Sequence, residues 1–224
     1  MARTQNGASK RAADLVYERI KEEIAAGIHR PGVHLGETTL AERYAVSRTP
    51  VRAALARLES DGFIVIAPHT GAVVTRRTLA EVSEVFEVRA ILESEAAGLA
   101  ARRRSAAHVE TLTRIADAME EIAARDRDVG PLSALNKDFH ETILEAAGNP
   151  TLRQSAERLM ALGFLVHTYT RFTDRDIARS LTDHRNVLAA IESRDPSWAN
   201  AAMRSHILGA SNVLRARIAE DEEP

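Results

Sequence analysis

Apolar residues return at helical spacing near the start of the chain. Leu15, Val16, Ile20, Ile24 and Ile28 predict a first helix of about 14 residues, which Gly27 and the Pro31-Gly32 pair then stop. Thr38 and Thr39 offer hydroxyls to cap a short second helix from Leu40 to Tyr44. After Ala45-Val46 a third helix begins at Ser47 and runs to about Ser60, where Asp61-Gly62 ends it. Pro50 falls in its first turn, where a missing N–H does no harm. The string FIVIAPHTGAVVT then carries two short β-rich runs, 63–66 and 72–75, around a loop with Pro68 and Gly71: a hairpin of the size of a wing.

From Thr78 onward every segment reads helical. Thr78-Leu79-Ala80-Glu81 forms a capping box that opens a helix to about Arg103. Ser105 caps the next, to about Arg125, and after the polar DRDVGP break another runs from Leu132 to Ala147. Gly148-Asn149-Pro150 is a stop and restart, giving a helix to about Phe172, followed by two more over about 177–193 and 196–219. The expected fold class is therefore mainly α: a winged helix-turn-helix in residues 1–77 and an all-helical bundle in 78–224.

The formal net charge of −2 hides a split. Residues 1–77 hold 12 Lys+Arg against 8 Asp+Glu, and residues 78–224 hold 18 against 24, as suits a protein that offers one end to a polyanion. Cysteine is absent, which removes disulfides and thiolate metal sites and agrees with a cytoplasmic location. No apolar run is long enough to span a bilayer, and the N-terminal residues do not read as a secretory signal.

In TTLAERYAVSRTPVRAALARLESDGFI, Leu40, Val46, Val51, Leu55 and Leu58 can close a small core between two helices. Arg48 and Arg52, four apart, share the opposite face of the third helix at its N-terminal end, beside Thr49. Two arginines on a helix are usually just solvated. Here they follow a helix, a short helix and a turn, and precede a hairpin. A helix offered N-terminus first to the major groove places such side chains at base edges, where guanidinium can pair with guanine O6 and N7. The string VSRTPVRAALARLESDGFI followed by HTGAVV resembles the DNA-binding domain of the GntR family of bacterial regulators, over about residues 12–76. The resemblance implies that Ser47, Arg48, Thr49 and Arg52 lie at the operator, with His69, Thr70 and Gly71 at the wing tip. Thr38 stands where some relatives carry a basic DNA contact.

In the helical half, charged or ligating side chains interrupt apolar stripes. Arg89 and Glu93 sit among Val82, Val85, Phe86, Leu92, Ala96 and Leu99, and a buried pair of charges needs a partner, a ligand or each other. His140, His184 and His206 each lie on an inward-facing stripe of a different helix, with Asn136 one turn before His140. A lone histidine on such a face is usually a hydrogen-bonded core residue. Three imidazoles with one oxygen donor suit a divalent ion, zinc foremost, with nickel, manganese or iron(II) also accommodated. Arg89-x-x-x-Glu93, the string NKDFHETILEAAGNP, His184 and His206 resemble the FCD-type ligand-binding domain of the FadR subfamily of GntR regulators, over about 78–218. That resemblance implies a bundle of six or seven helices, a metal held by Asn136, His140, His184 and His206, and Arg89 with Glu93 at a small carboxylate effector.

The expectation is a homodimeric repressor of palindromic operator DNA, released by a small carboxylate bound at a metal-containing pocket, and not an enzyme. Two alternatives use the same histidines: a metal-dependent hydrolase, or a direct sensor of the ion. Against the first, the residue four after His140 is Leu144, so His140-Glu141 does not open a zincin motif.

Overall fold

Val16, Tyr17, Ile20 and Ile24 are buried along one side of helix α1 (Ala2–Ala25). The fold is that of a computed structural model. It describes every residue except 1, 26, 68–70, 77, 126–128, 165–167 and 223–224, and in 2–10, 25, 79, 161–164, 168, 170 and 218–222 the backbone alone. The chain divides into two units, Met1–Arg77 and Thr78–Pro224.

In the first unit, α1 is longer than the apolar pattern predicts and ends before Ile28. Gly27, at φ +75°, turns the chain out of the helix while the Ile28 N–H returns to the Glu23 carbonyl. Ile28, beyond the helix, is exposed; Leu15, inside it, is exposed as well, and Tyr17 occupies the buried stripe instead. The helix α2 spans Glu37–Arg43 with Gly36 as its N-cap, so Thr38 and Thr39 lie inside its first turn rather than capping it. The acidic Glu37 there complements the helix dipole. Helix α3, Arg48–Ser60, buries Pro50, Val51, Ala54, Leu55 and Leu58, with Ser47 as N-cap, and Gly62 at φ +80° closes it as Gly27 closes α1. The turn between α2 and α3 puts Ala45 at φ +53°, a conformation that favours glycine.

The hairpin forms from β2 (Ile64–Ala67) and β3 (Gly71–Val74), antiparallel with Ile64 opposite Val74 and Ala67 opposite Gly71. A short strand not predicted from sequence, β1 (His34–Leu35), pairs with the other edge of β3, giving the order β1-β3-β2. Two residues are too few to show an alternation. Leu35, Ile64, Ala72 and Val74 form the buried face of the sheet.

The second unit is six helices and one 3-10 turn among the described residues. Helix α4 (Leu79–Arg103) opens with the predicted capping box: Thr78 Oγ1 accepts from the Glu81 N–H, and Glu81 accepts from the Thr78 N–H. The helices α5 (Ala106–Arg125), α6 (Val129–Ala146), α7 (Pro150–Phe164), α8 (Asp174–Glu192) and α9 (Pro196–Glu222) follow. The single helix expected from Pro150 to Phe172 is not one element: α7 ends at Phe164, and a 3-10 turn occupies Thr168–Arg171. A second capping box, Thr173 with Asp176, starts α8.

The long helix α4 is the centre of this unit. It packs most extensively on α9 and also meets α6, α7 and α8. Ala90, Ala96, Ala97, Ala100 and Ala101 are fully buried, so backbones approach closely; a Cβ on Gly98 would stand 3.1 Å from the Pro196 carbonyl. At the end of α4, Arg103 donates to the Ala147 carbonyl and Arg104 to the Glu192 carbonyl, satisfying the C-terminal turns of α6 and α8.

Candidate DNA-reading face and candidate metal centre

Burial of Val51, Leu55 and Leu58 on one side of α3 forces Arg48, Thr49 and Arg52 outward. The Arg48 and Arg52 side chains are 57% and 62% exposed, so a duplex could reach both. Ser47 makes no side-chain cap hydrogen bond, leaving the first-turn N–H groups of α3 available to an anion. Thr38 is also exposed, on the second residue of α2. Gly71 starts β3 at φ +75°, the conformation that holds this position to glycine; the nearest atom to a Cβ there, at 2.7 Å, is Nε2 of the exposed His34 side chain, which can turn aside. His69 and Thr70 lie outside the described residues.

Sequence reasoning passed over Glu37. Its Oε2 accepts from Arg48 Nη2 at 2.8 Å and from Arg52 Nε at 2.7 Å. These two hydrogen bonds hold the Glu37 carboxyl below the usual carboxylate range. The signal was present in the sequence as an acidic residue in a helix first turn, but the pairing crosses two helices and is invisible to local spacing.

In the second unit α6, α8 and α9 bring His140, His184 and His206 together, all buried. One nitrogen from each can be chosen so that all lie within 4.8 Å of one another. His140 Nε2 and His206 Nε2 are 3.3 Å apart, and the His184 and His206 rings are 4.4 Å apart at their centroids. Neither nitrogen of His184 has a hydrogen-bond partner among the described residues, nor does His206 Nδ1. Burial pushes the His184 pKa well below its ordinary value, and neighbouring His206 and His140 push it further; His206 is lowered by burial too. Buried imidazoles with ring nitrogens that make no hydrogen bond among the described residues fit the needs of a borderline metal ion.

The neighbours of this cluster are polar and ordered. His140 Nδ1 lies 2.6 Å from Glu93 Oε2, off the line of a good hydrogen bond, and Glu93 Oε1 accepts from Arg89 Nε at 2.7 Å. Burial pushes the Glu93 carboxyl up, but Arg89 and His140 outweigh it and hold it low. Arg89 and Glu93 are therefore an internal ion pair that also reaches the histidines. Asn136 is buried one turn before His140, with its Oδ1 accepting from the Tyr169 hydroxyl at 3.3 Å. Asp138 is exposed, away from the cluster. No helix among the described residues is long and apolar enough to cross a membrane.

Residues 12–74 match the family model of bacterial regulatory proteins, gntR family, and residues 84–209 match that of the FCD domain. The chain is 31% identical over 198 residues to the "Probable D-xylose utilization operon transcriptional repressor" of Paenarthrobacter nicotinovorans, covering 87% of this chain and 85% of that protein. It is 28% identical over 186 residues to the gluconate operon transcriptional repressor of Bacillus subtilis (strain 168), covering 81% and 75%. The solved structure of E. coli McbR/YncC shares the fold, with a TM-score of 0.79 at 21% identity over 93% of this chain and 96% of that one. Family and relatives alike are those of transcription regulators rather than of enzymes, so the exposed arginines of α3 belong to a DNA-binding unit and the histidine-lined bundle to its companion. The chain belongs to the GntR family of DNA-binding transcription regulators, with an FCD domain as its second unit.

Proposed function

We propose that this regulator is a cytoplasmic homodimeric repressor whose grip on a palindromic operator is relaxed when a small carboxylate binds in the second unit, beside a divalent metal ion. The observation that carries this reading is the set of three buried imidazoles converging from three helices, with both nitrogens of His184 making no hydrogen bond among the described residues and His206 Nδ1 having only Asp183, at 3.8 Å, beside it. Leaving such groups unmet costs about 1–3 kcal/mol each, a cost that a bound ion would remove.

His140, His184 and His206 would hold the ion, with the Asn136 amide as the oxygen donor, and zinc matches these ligands best. The ion would supply a positive centre with open positions for a carboxylate. Glu93 holds His140 from one side and Arg89 from the other, fixing the imidazole that faces the site and the guanidinium near it. Arg89 spends Nε on Glu93, and its terminal nitrogens, which make no hydrogen bond among the described residues, would receive an effector carboxylate. Effector binding then alters the segment joining the two units and, in the dimer, the presentation of the two DNA heads. Coupling of about 1–3 kcal/mol, roughly 5- to 150-fold in operator affinity, suffices for regulation. Val88 and Ile91, exposed one turn apart on α4, support a covered surface of the kind a dimer uses.

The test joins metal and effector. Protein purified without chelator is analysed for bound metal, and operator binding is titrated with sugar acids, keto acids and dicarboxylates. One such acid should release the metal-loaded protein and have no effect on the Arg89→Ala variant, which still binds operator. Absence of retained zinc, nickel, manganese and iron would remove the metal from the reading, and release by the ion alone would make the ion itself the signal.

A further inference from the structure

We propose that Glu37 is the positioning residue for sequence reading: one carboxylate oxygen on α2 holds Arg48 and Arg52 of α3 together, so that the two guanidinium groups meet the operator as a pre-set pair. This rests on the reading of Arg48 and Arg52 as the base contacts.

The geometry separates Glu37 from an ordinary surface ion pair. Glu37 belongs to a different helix from the arginines, so the contact fixes both side chains to the scaffold across the α2–α3 turn. Both hydrogen bonds go to the same oxygen, Oε2, which draws two like charges to one point. Ion pairs this exposed add little to stability, so holding the chain folded is not an adequate use for it. Its effect on orientation is larger, because an unrestrained arginine loses much rotamer freedom on docking.

Donor accounting shows that the clamp does not use up the readers. A guanidinium has five N–H donors. Arg52 gives Nε and keeps both terminal amino groups; Arg48 gives one N–H of Nη2 and keeps its other donors. Each can still form the two-point pairing with guanine O6 and N7. The carboxylate also repels phosphate, so it discourages the arginines from swinging to the backbone of any duplex they meet. Its pKa is lowered by the same two partners, so it stays ionised at neutral pH. Pre-setting and phosphate repulsion act in the same direction: specific binding is favoured and random binding is not.

The experiment uses the full chain and an operator selected from a randomised duplex pool, with fluorescence anisotropy on operator and random duplex across a salt series. Glu37→Gln should lower the operator-to-random affinity ratio roughly tenfold, the size expected for freeing one or two ordered side chains. Random-duplex binding should hold or tighten, with a salt slope steeper by about one as an arginine moves to phosphate. Arg48→Ala and Arg52→Ala should be non-additive in the wild-type background and additive beside Glu37→Gln. An unchanged ratio with unchanged coupling overturns the proposal, and so does tighter operator binding by Glu37→Gln, which would make Glu37 a competitor of DNA. If Arg48→Ala and Arg52→Ala leave operator binding intact, the failure lies instead in the assignment of the base contacts.

Discussion

At the scale of single residues, the histidines show most clearly what buried polarity implies. His184 is wholly enclosed, with two unpartnered nitrogens among the described residues and a pKa pushed well down by burial. Such a group weakens the metal-free fold and serves only when something binds it. His184→Leu should therefore stabilise the metal-free protein by roughly 1–3 kcal/mol, raising its melting temperature, while abolishing the further rise on adding zinc. Thermal scans with and without zinc check both; a destabilised metal-free variant would mean the imidazole is satisfied in the core. On α3, Arg48→Ala or Arg52→Ala should each cost about 1–3 kcal/mol on the operator and relax base preference there, read by anisotropy with single-base variants. Equal losses on random duplex would make them phosphate contacts. Ala45 offers a third test, since its φ of +53° strains a residue with a side chain. Ala45→Gly should raise stability by about 0.5 kcal/mol, the strain relieved outweighing the added freedom of the unfolded chain. These outward arginines and inward histidines were readable from sequence, because each lies opposite or within an apolar stripe of one helix. Glu37 was not, because its partners lie on another helix.

At the scale of elements, helix ends decide more than helix middles. The α8 capping box ties Asp176 to Thr173, whose hydroxyl donates at 2.6 Å and whose backbone N–H donates at 3.0 Å. Burial pushes the Asp176 carboxyl up, but these hydrogen bonds and the nearby Arg179 and Arg217 outweigh it and lower its pKa. A lowered folded pKa means that the stabilisation is fully present above the unfolded value, about 3.9. It is lost as the pH falls through the folded value. Urea unfolding at pH 3 to 6 should show Asp176→Asn with a shallower acid loss than the wild type, and an identical slope would remove the box from acid stability. The Thr78 box opening α4 was legible because Thr and Glu sit three apart before an apolar run. The Thr173 box has the same form with Asp, and was hidden when the chain through Phe172 was read as one helix. The four-residue 3-10 turn at Thr168–Arg171 and the two-residue strand β1 are too short to leave a periodic trace.

At the scale of the whole molecule, the two units give separate handles on function. If the metal binds only the second unit, zinc at 100 times its Kd should stabilise that unit by about 2.7 kcal/mol. The unfolding transition of residues 78–224 alone should then rise, as followed by hydrogen exchange on peptides from each unit. Equal protection of both units would imply that the ion's influence reaches the DNA-binding unit directly. Most of the helices, the hairpin, the outward Arg48 and Arg52 and the inward His140, His184 and His206 were legible in the chain's own pattern, while β1 and the 3-10 turn were not. Periodicity and capping act over a few residues, so one strand of letters carries them. Only the folded chain could decide which helix faces which: that Glu37 meets two arginines from α3, that Glu93 lies between Arg89 and His140, and that the three imidazoles converge. Those distances depend on how packed helices cross, and local spacing contains no term for residues that approach only when distant segments close on a shared core.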